Sequence, residues 1–281
     1  MTTLAYTRTG AGVPLVLLHG IGSSRHAWEP VIPALARHFD VLAVDLPGFG
    51  DSGPLPPEVE SRPAALAAAV AGLLDELGVS APHVAGNSLG GWVALELAAI
   101  RPVASLALLS PAGLWRDSVP LYNRASLYSS HWFAEHAGGL LSRLVTYRLG
   151  RALVLGQTHG RPFRITPGYA RVAIRALGAS PGFGATMRAS APGYRSGPPI
   201  GAPVTVEFGS RDLLLRRGSR HLGQLPPGTR VGALRGCGHV PMADDPPAVT
   251  DFITASAAGG LPPGTTGIRF SQVITVPQAH R

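Results

Sequence analysis

Ser88, Asp212 and His239 are of the three residue types that together could perform acyl transfer. Serine is a poor nucleophile unless a base removes its proton and a third group orients that base. Ser88 lies in Gly86-Asn87-Ser88-Leu89-Gly90, a Gly-x-Ser-x-Gly pattern. A short apolar run, Pro82 to Ala85, precedes it, and an Ala- and Leu-rich run, Trp92 to Ile100, follows. That context predicts a strand, a sharp turn and a helix. The glycines on either side let neighbouring chain pass without a Cβ clash, and the serine stands at a helix N-terminus. Asp212 follows the apolar segment Val204 to Phe208, and His239 follows the segment ending at Leu234. Taken singly, Asp212 reads equally as a turn aspartate and His239 as a structural loop histidine. In the order Ser, Asp, His, each just past a strand end, they form a coherent set. Asp117, beyond the Val103 to Leu109 run, is the rival acid.

Acyl transfer also needs two donors aimed at the oxyanion. The N–H of Leu89, directly after the serine, is one. The glycine-rich loop His19-Gly20-Ile21-Gly22 follows the strand Val13 to Leu18 and offers the N–H of Ile21 as the second. His19 is expected to brace that loop rather than act as the base.

The elements that must hold these groups alternate in type. Strands are expected at Leu4 to Thr9, Val13 to Leu18, Phe39 to Val44, Val103 to Leu109, Pro203 to Phe208 and Thr229 to Leu234, besides the one before Ser88. The continuous apolar runs suit strands buried on both faces. Helices are expected from about Arg25 to His38 with Ser24 as cap, from Pro63 to Leu77, near Ser219 to Leu222, and from Pro246 to Ala257. Pro63 near the start and Gly78 just past the end of the second helix follow the usual asymmetry. Between Pro111 and Pro199 the rhythm stops. That block reads as helix and loop, with helices at Leu140 to Leu155, Pro167 to Leu177 and Pro181 to Ala189. The fold class is therefore α/β: a mostly parallel open sheet of about seven strands, helices on both faces, and a helical insertion after Val103 to Leu109. Residues 1–110 and 201–258 form the core, 111–200 a cap, and 259–281 a tail. Ile268 to Val276 has strand character, but an appended terminus is the preferred reading.

Composition narrows the function class. One cysteine, Cys237, excludes an intrachain disulfide framework and cysteine-based zinc clusters, and is expected to be a small buried loop residue. Trp28, Trp92, Trp115 and Trp132 are expected to pack in core or cap. The chain opens with no cationic segment followed by an apolar core, and its most apolar helical stretch, Ala64 to Leu77, is too short to span a bilayer. A cytoplasmic protein is expected. Gly48-Phe49-Gly50 lacks the further glycine and helix start of a nucleotide loop.

All 24 basic residues are arginine, and the net charge is +8. Eleven of those arginines, against two acids, fall between Pro111 and Pro199, so the whole excess lies in the inserted block. One expectation is a solvated basic surface. The sharper one is that some of Arg143, Arg148, Arg171 and Arg175 face the cleft and favour an anionic small-molecule substrate. No nucleic-acid recognition motif accompanies the charge. The oligomeric state has no signature in the sequence.

The chain resembles the α/β-hydrolase family. The matching pieces are His19-Gly20-Ile21-Gly22 with Trp28, Asp45 to Ser52, Gly86 to Gly91, Gly209-Ser210-Arg211-Asp212 and Gly238-His239. They span nearly all of the chain outside the tail. The resemblance implies Ser88, Asp212 and His239 as a triad, Ile21 and Leu89 as oxyanion donors, the middle block as a cap, and no cofactor. The implied activity is carboxylic ester hydrolysis. Hydrolysis of a carbon–carbon bond in a dienoate, a peroxidase side activity, and a non-catalytic small-molecule receptor on the same scaffold are the alternatives. A serine in place of aspartate disfavours epoxide and haloalkane chemistry. Val240 stands where ring-cleavage hydrolases often carry tryptophan.

Overall fold

The computed structural model describes residues 2–259 and the pair 274–275. Its centre is a twisted sheet. The strands are β1 (Tyr6–Gly10), β2 (Val13–Leu18), β3 (Phe39–Val44), β4 (His83–Asn87), β5 (Ser105–Leu109), β6 (Val204–Gly209), β7 (Arg230–Leu234) and the two-residue β8 (Ile274–Thr275). Their order is β1-β3-β2-β4-β5-β6-β7-β8. β2 to β7 run parallel, while β1 pairs antiparallel with β3 and β8 antiparallel with β7. The sheet thus has the seven expected strands. Ile274–Thr275 add an eighth, where an unpaired terminus was the preferred reading. The remainder of the tail lies outside the described residues.

Alternate residues of the parallel strands feed two cores. Val16, Leu18, Val84, Leu106, Leu108 and Val206 point to the side covered by α2 (Pro63–Glu76) and α3 (Leu89–Ile100). Leu15, Leu17, Ala85, Ala107 and Leu109 point to the opposite side, where Trp28, Phe252 and Ile253 pack with α1 (Ile32–Leu35) and α8 (Pro246–Ala257). Burial on both faces is why these strands are apolar without alternation. Edge strand β1 is exposed throughout and carries the Arg8–Asp40 ion pair.

The expected helix from Arg25 to His38 does not form. A short 3-10 turn at Arg25–Trp28 precedes the single turn of α1, and Ser24 makes no side-chain cap bond. Pro30 and Pro33 remove the N–H donors that a continuous helix there would need. Two 3-10 turns, Arg217–Ser219 and Leu222–Gln224, replace the short helix near Ser219 to Leu222.

Between β5 and β6 lie four helices: α4 (Leu121–Leu144), α5 (Arg148–Leu155), α6 (Pro167–Gly178) and α7 (Phe183–Ala189). The expected single helix over Leu140 to Leu155 is split, and α4 begins far earlier than the sequence suggested. The split has a cause. The Arg151 side chain is buried and donates to the Val145 and Thr146 carbonyls at 2.9 and 3.1 Å, closing the C-terminus of α4. Ala134, Val145, Leu155, Ile165, Ala170 and Ile174 give this block a small core of its own.

Candidate active site

The chain's connections diverge between β2 and β4: β2 leads to β3 on one side, β4 to β5 on the other. A crevice opens at such a point beyond the C-terminal strand ends. The loop after β2 and the turn after β4 flank it. Ser88 occupies that turn with φ 55° and ψ −117°, a left-handed backbone that a non-glycine residue adopts only when its surroundings impose it. The imposition is visible. The Ser88 N–H donates to the Leu109 carbonyl at 3.0 Å, and the Ser88 carbonyl accepts from Gly91, Trp92 and Ala112. A Cβ on Gly90 would strike the Leu18 carbonyl, and one on Gly86 would strike Gly90, so both positions require glycine.

Asp212 and His239 meet at the same edge. His239 Nδ1 lies 3.0 Å from Asp212 Oδ2, both side chains buried. The other carboxylate oxygen, Oδ1, accepts from the N–H groups of Leu214 and Leu215 at 2.9 and 2.7 Å. Burial by itself would raise the Asp212 carboxyl. The charge and hydrogen bond of His239, the Leu215 N–H and the Arg220 guanidinium outweigh it and hold the carboxyl below its ordinary value. A carboxylate therefore faces Nδ1, which fixes the N–H there and leaves Nε2 with a free lone pair. Nε2 is buried and makes no hydrogen bond among the described residues, Ser88 Oγ included. Free active sites commonly hold such pairs apart until substrate draws them together.

The two main-chain N–H groups expected to serve as donors lie on either side of the turn: in the loop after β2 and directly after Ser88. Leu89 opens α3, and Ile21 lies in the loop after β2, where Gly20 passes against Ser88. Among the described residues neither N–H donates to a protein acceptor. His19 braces this loop as expected. It is fully buried, its Nδ1 lies 2.8 Å from the Gly20 carbonyl, and its Nε2 accepts from the Leu46 N–H at 3.0 Å. Burial pushes its pKa down, against the pull of Asp45. Both ring nitrogens being engaged, His19 has none to offer as a base. Asp117 is exposed and lines a separate open groove of about 400 Å³ with Arg116 and Arg216.

Three supporting features had no weight in the sequence. Asn87, inside the serine motif, donates through Nδ2 to the carbonyls of Leu109 (3.0 Å) and His239 (2.8 Å). Arg220 stacks on Phe208, donates to the Leu215 carbonyl at 2.7 Å, and places a guanidinium nitrogen 3.7 Å from Asp212 Oδ2. Asp244 accepts from the N–H groups of Gly160, Arg161 and Gly238 at 2.7, 2.8 and 2.7 Å. With the Val240 N–H to Thr158 carbonyl bond, this clasps the inserted block onto the His239 loop. His159 sits in the clasp, buried and pushed down to about 4 by that burial. A position next to the serine was the only sequence signal for Asn87. Nothing in the sequence set Asp244 or Arg220 apart from other charged residues.

Arg143, Arg148, Arg171 and Arg175, some of which were expected to face the cleft, are all exposed. Arg171 is tied to the Ser142 carbonyl and Thr146 hydroxyl, and Arg148 lies over the Phe163 ring. Cys237 is buried in its loop, with its thiol pushed up to about 12 by burial. Among the described residues, no helix is long and apolar enough to cross a membrane, and no group of acids, histidines and cysteine is arranged to hold a metal.

Known proteins share sequence and fold with this chain. An uncharacterised protein of Mycobacterium bovis is 29% identical over 89% of the chain and 76% of its own length. A pimeloyl-[acyl-carrier protein] methyl ester esterase of Aeromonas hydrophila is 43% identical over 42% of the chain and 46% of its own length. A thermophilic esterase of Thermogutta terrifontis superposes with a TM-score of 0.70 at 23% identity, covering 90% of this chain and 92% of that one. The signature of the alpha/beta hydrolase fold matches residues 13–246, and with it the chain belongs to the α/β-hydrolase family.

Proposed function

We propose that the protein is a cofactor-independent serine hydrolase acting on carboxylic esters of a small-molecule substrate. The observation that carries this reading is the 3.0 Å contact between His239 Nδ1 and Asp212 Oδ2, beside a serine held in a strained turn. In this reading Ser88 Oγ attacks the acyl carbon while His239 Nε2 takes its proton. Asp212 holds the imidazole and balances its positive charge. The N–H groups of Leu89 and Ile21 receive the oxyanion, where fixed donors are commonly worth about 3–4 kcal/mol each. His239 returns the proton to the leaving alcohol, then activates water to release the acid.

Ester cleavage is favoured by the named activity of the Aeromonas relative, which matches 42% of the chain. Residues 111–200 serve as a cap whose anchored end is the Thr158 to Arg161 clasp on the His239 loop. The test is a fluorophosphonate probe followed by a panel of chromogenic esters of varied acyl length. Wild type should be labelled at Ser88 and turn over repeatedly. Labelling elsewhere, with full turnover in Ser88→Ala, would overturn the assignment. Ligand binding without multiple turnover would leave a receptor instead.

A further inference from the structure

Fifteen large apolar side chains are exposed among the described residues, and ten of them lie between Leu121 and Phe163. A surface helix ordinarily turns polar residues outward. α4 departs from this: Trp132, Phe133 and Leu140 stand in solvent, whereas packing in the cap was expected for Trp132. α5 does the same with Leu149 and Leu153, one helical turn apart and 78% and 79% exposed, next to exposed Tyr147.

Charge accompanies this apolar surface. Arg124, Arg143 and Arg148 are exposed in the same stretch and have no acidic partner among the described residues. Glu135 is the single acid there, flanked by His131 and His136. Aromatic and leucine side chains interleaved with arginine, on helices too polar to span, match the chemistry of a bilayer interface. Apolar tips enter the headgroup boundary while guanidinium groups meet lipid phosphates. Two copies of so cationic a face would repel each other, which argues against a self-interface.

We propose that the outer face of α4 and α5 docks the protein peripherally on an anionic lipid surface. The inference does not depend on the ester reading, because it uses no residue of the Ser88 site.

The experiment is vesicle co-sedimentation of the full chain carrying Ser88→Ala, so that lipid is not consumed. Vesicles of phosphatidylcholine alone are compared with vesicles holding about one third phosphatidylglycerol. Binding should rise at least about tenfold with the anionic lipid and fall back in about 0.5 M salt. Leu149→Ser with Leu153→Ser changes only exposed positions and should cut binding roughly tenfold without altering the circular dichroism spectrum. Equal binding to both vesicles, no binding, or insensitivity to the double substitution would each overturn the proposal. So would a dimer in sedimentation velocity that the same substitutions dissociate, or retention on polyglutamate in place of vesicles. Ester turnover by the Ser88-containing protein is scored separately, so loss of either reading leaves the other standing.

Discussion

The side-chain amide of Asn87 donates to the main-chain carbonyl of His239 at 2.8 Å. This one bond spans the two halves of the core, from the last residue of β4 to the loop after β7. It ties the main chain of the histidine to the residue before the serine. Asn87→Ala should lower kcat by roughly tenfold or more with a smaller change in KM, and cost about 1–3 kcal/mol of stability. Asn87→Asp should be worse, since it replaces a donor to two carbonyls with a negative acceptor. Comparable activity in wild type and Asn87→Asp would reduce the residue to filler.

Asp212 and Asp117 offer a direct contrast. Asp212→Asn should reduce kcat by about a thousand-fold or more with the fold retained, because the amide presents the wrong partner to Nδ1. Asp117→Asn, at an exposed position away from the histidine, should leave kcat within about twofold. The reverse ranking in steady-state assays would remove Asp212 from the site.

Arg220 approaches Asp212 at Oδ2, the oxygen that faces His239, while Leu214 and Leu215 hold Oδ1. Its charge helps to keep Asp212 a carboxylate. Arg220→Met removes that charge and the donor to the Leu215 carbonyl, and should lower kcat roughly tenfold with a smaller change in KM. Arg220→Lys keeps the charge and should recover part of the loss in steady-state assays. No recovery would leave Arg220 a packing residue.

Glu207 lies on β6, buried, with Oε2 unpartnered among the described residues, and burial pushes its carboxyl up to about 8. The sign follows from linkage. Above the ordinary value of 4.5 the unfolded chain releases this proton while the folded chain keeps it. Stability therefore drops as pH rises from there to about 8 and stays reduced above. Glu207→Gln keeps the volume and removes the penalty. Its Tm should match wild type near pH 4.5 and exceed it by roughly 4–8 °C at about pH 8.5, on about 2 kcal/mol. A Tm difference constant with pH in scanning calorimetry would refute this.

Continuous apolar runs such as Val13 to Leu18 and Phe39 to Val44 announced buried parallel strands. Gly86, Ser88 and Gly90 announced the turn between one of them and a helix. These signals are local: period, length and glycine placement act within a few residues, so one-dimensional reading reaches them. Chain order carried Ser88, Asp212 and His239 to one sheet edge, because parallel strands end together. Tertiary structure decided what depends on contacts between distant segments. Arg151 ended α4 by reaching carbonyls, Arg220 came to rest beside Asp212, and Asp244 joined residues 160 and 161 to 238. An arginine or aspartate in sequence looks the same whether solvated or buried against a partner, and only the fold supplies the partner. The start of α4 was hidden for a related reason. A helix is read from one apolar stripe, and this one exposes Leu121, Trp132 and Phe133 on its outer side.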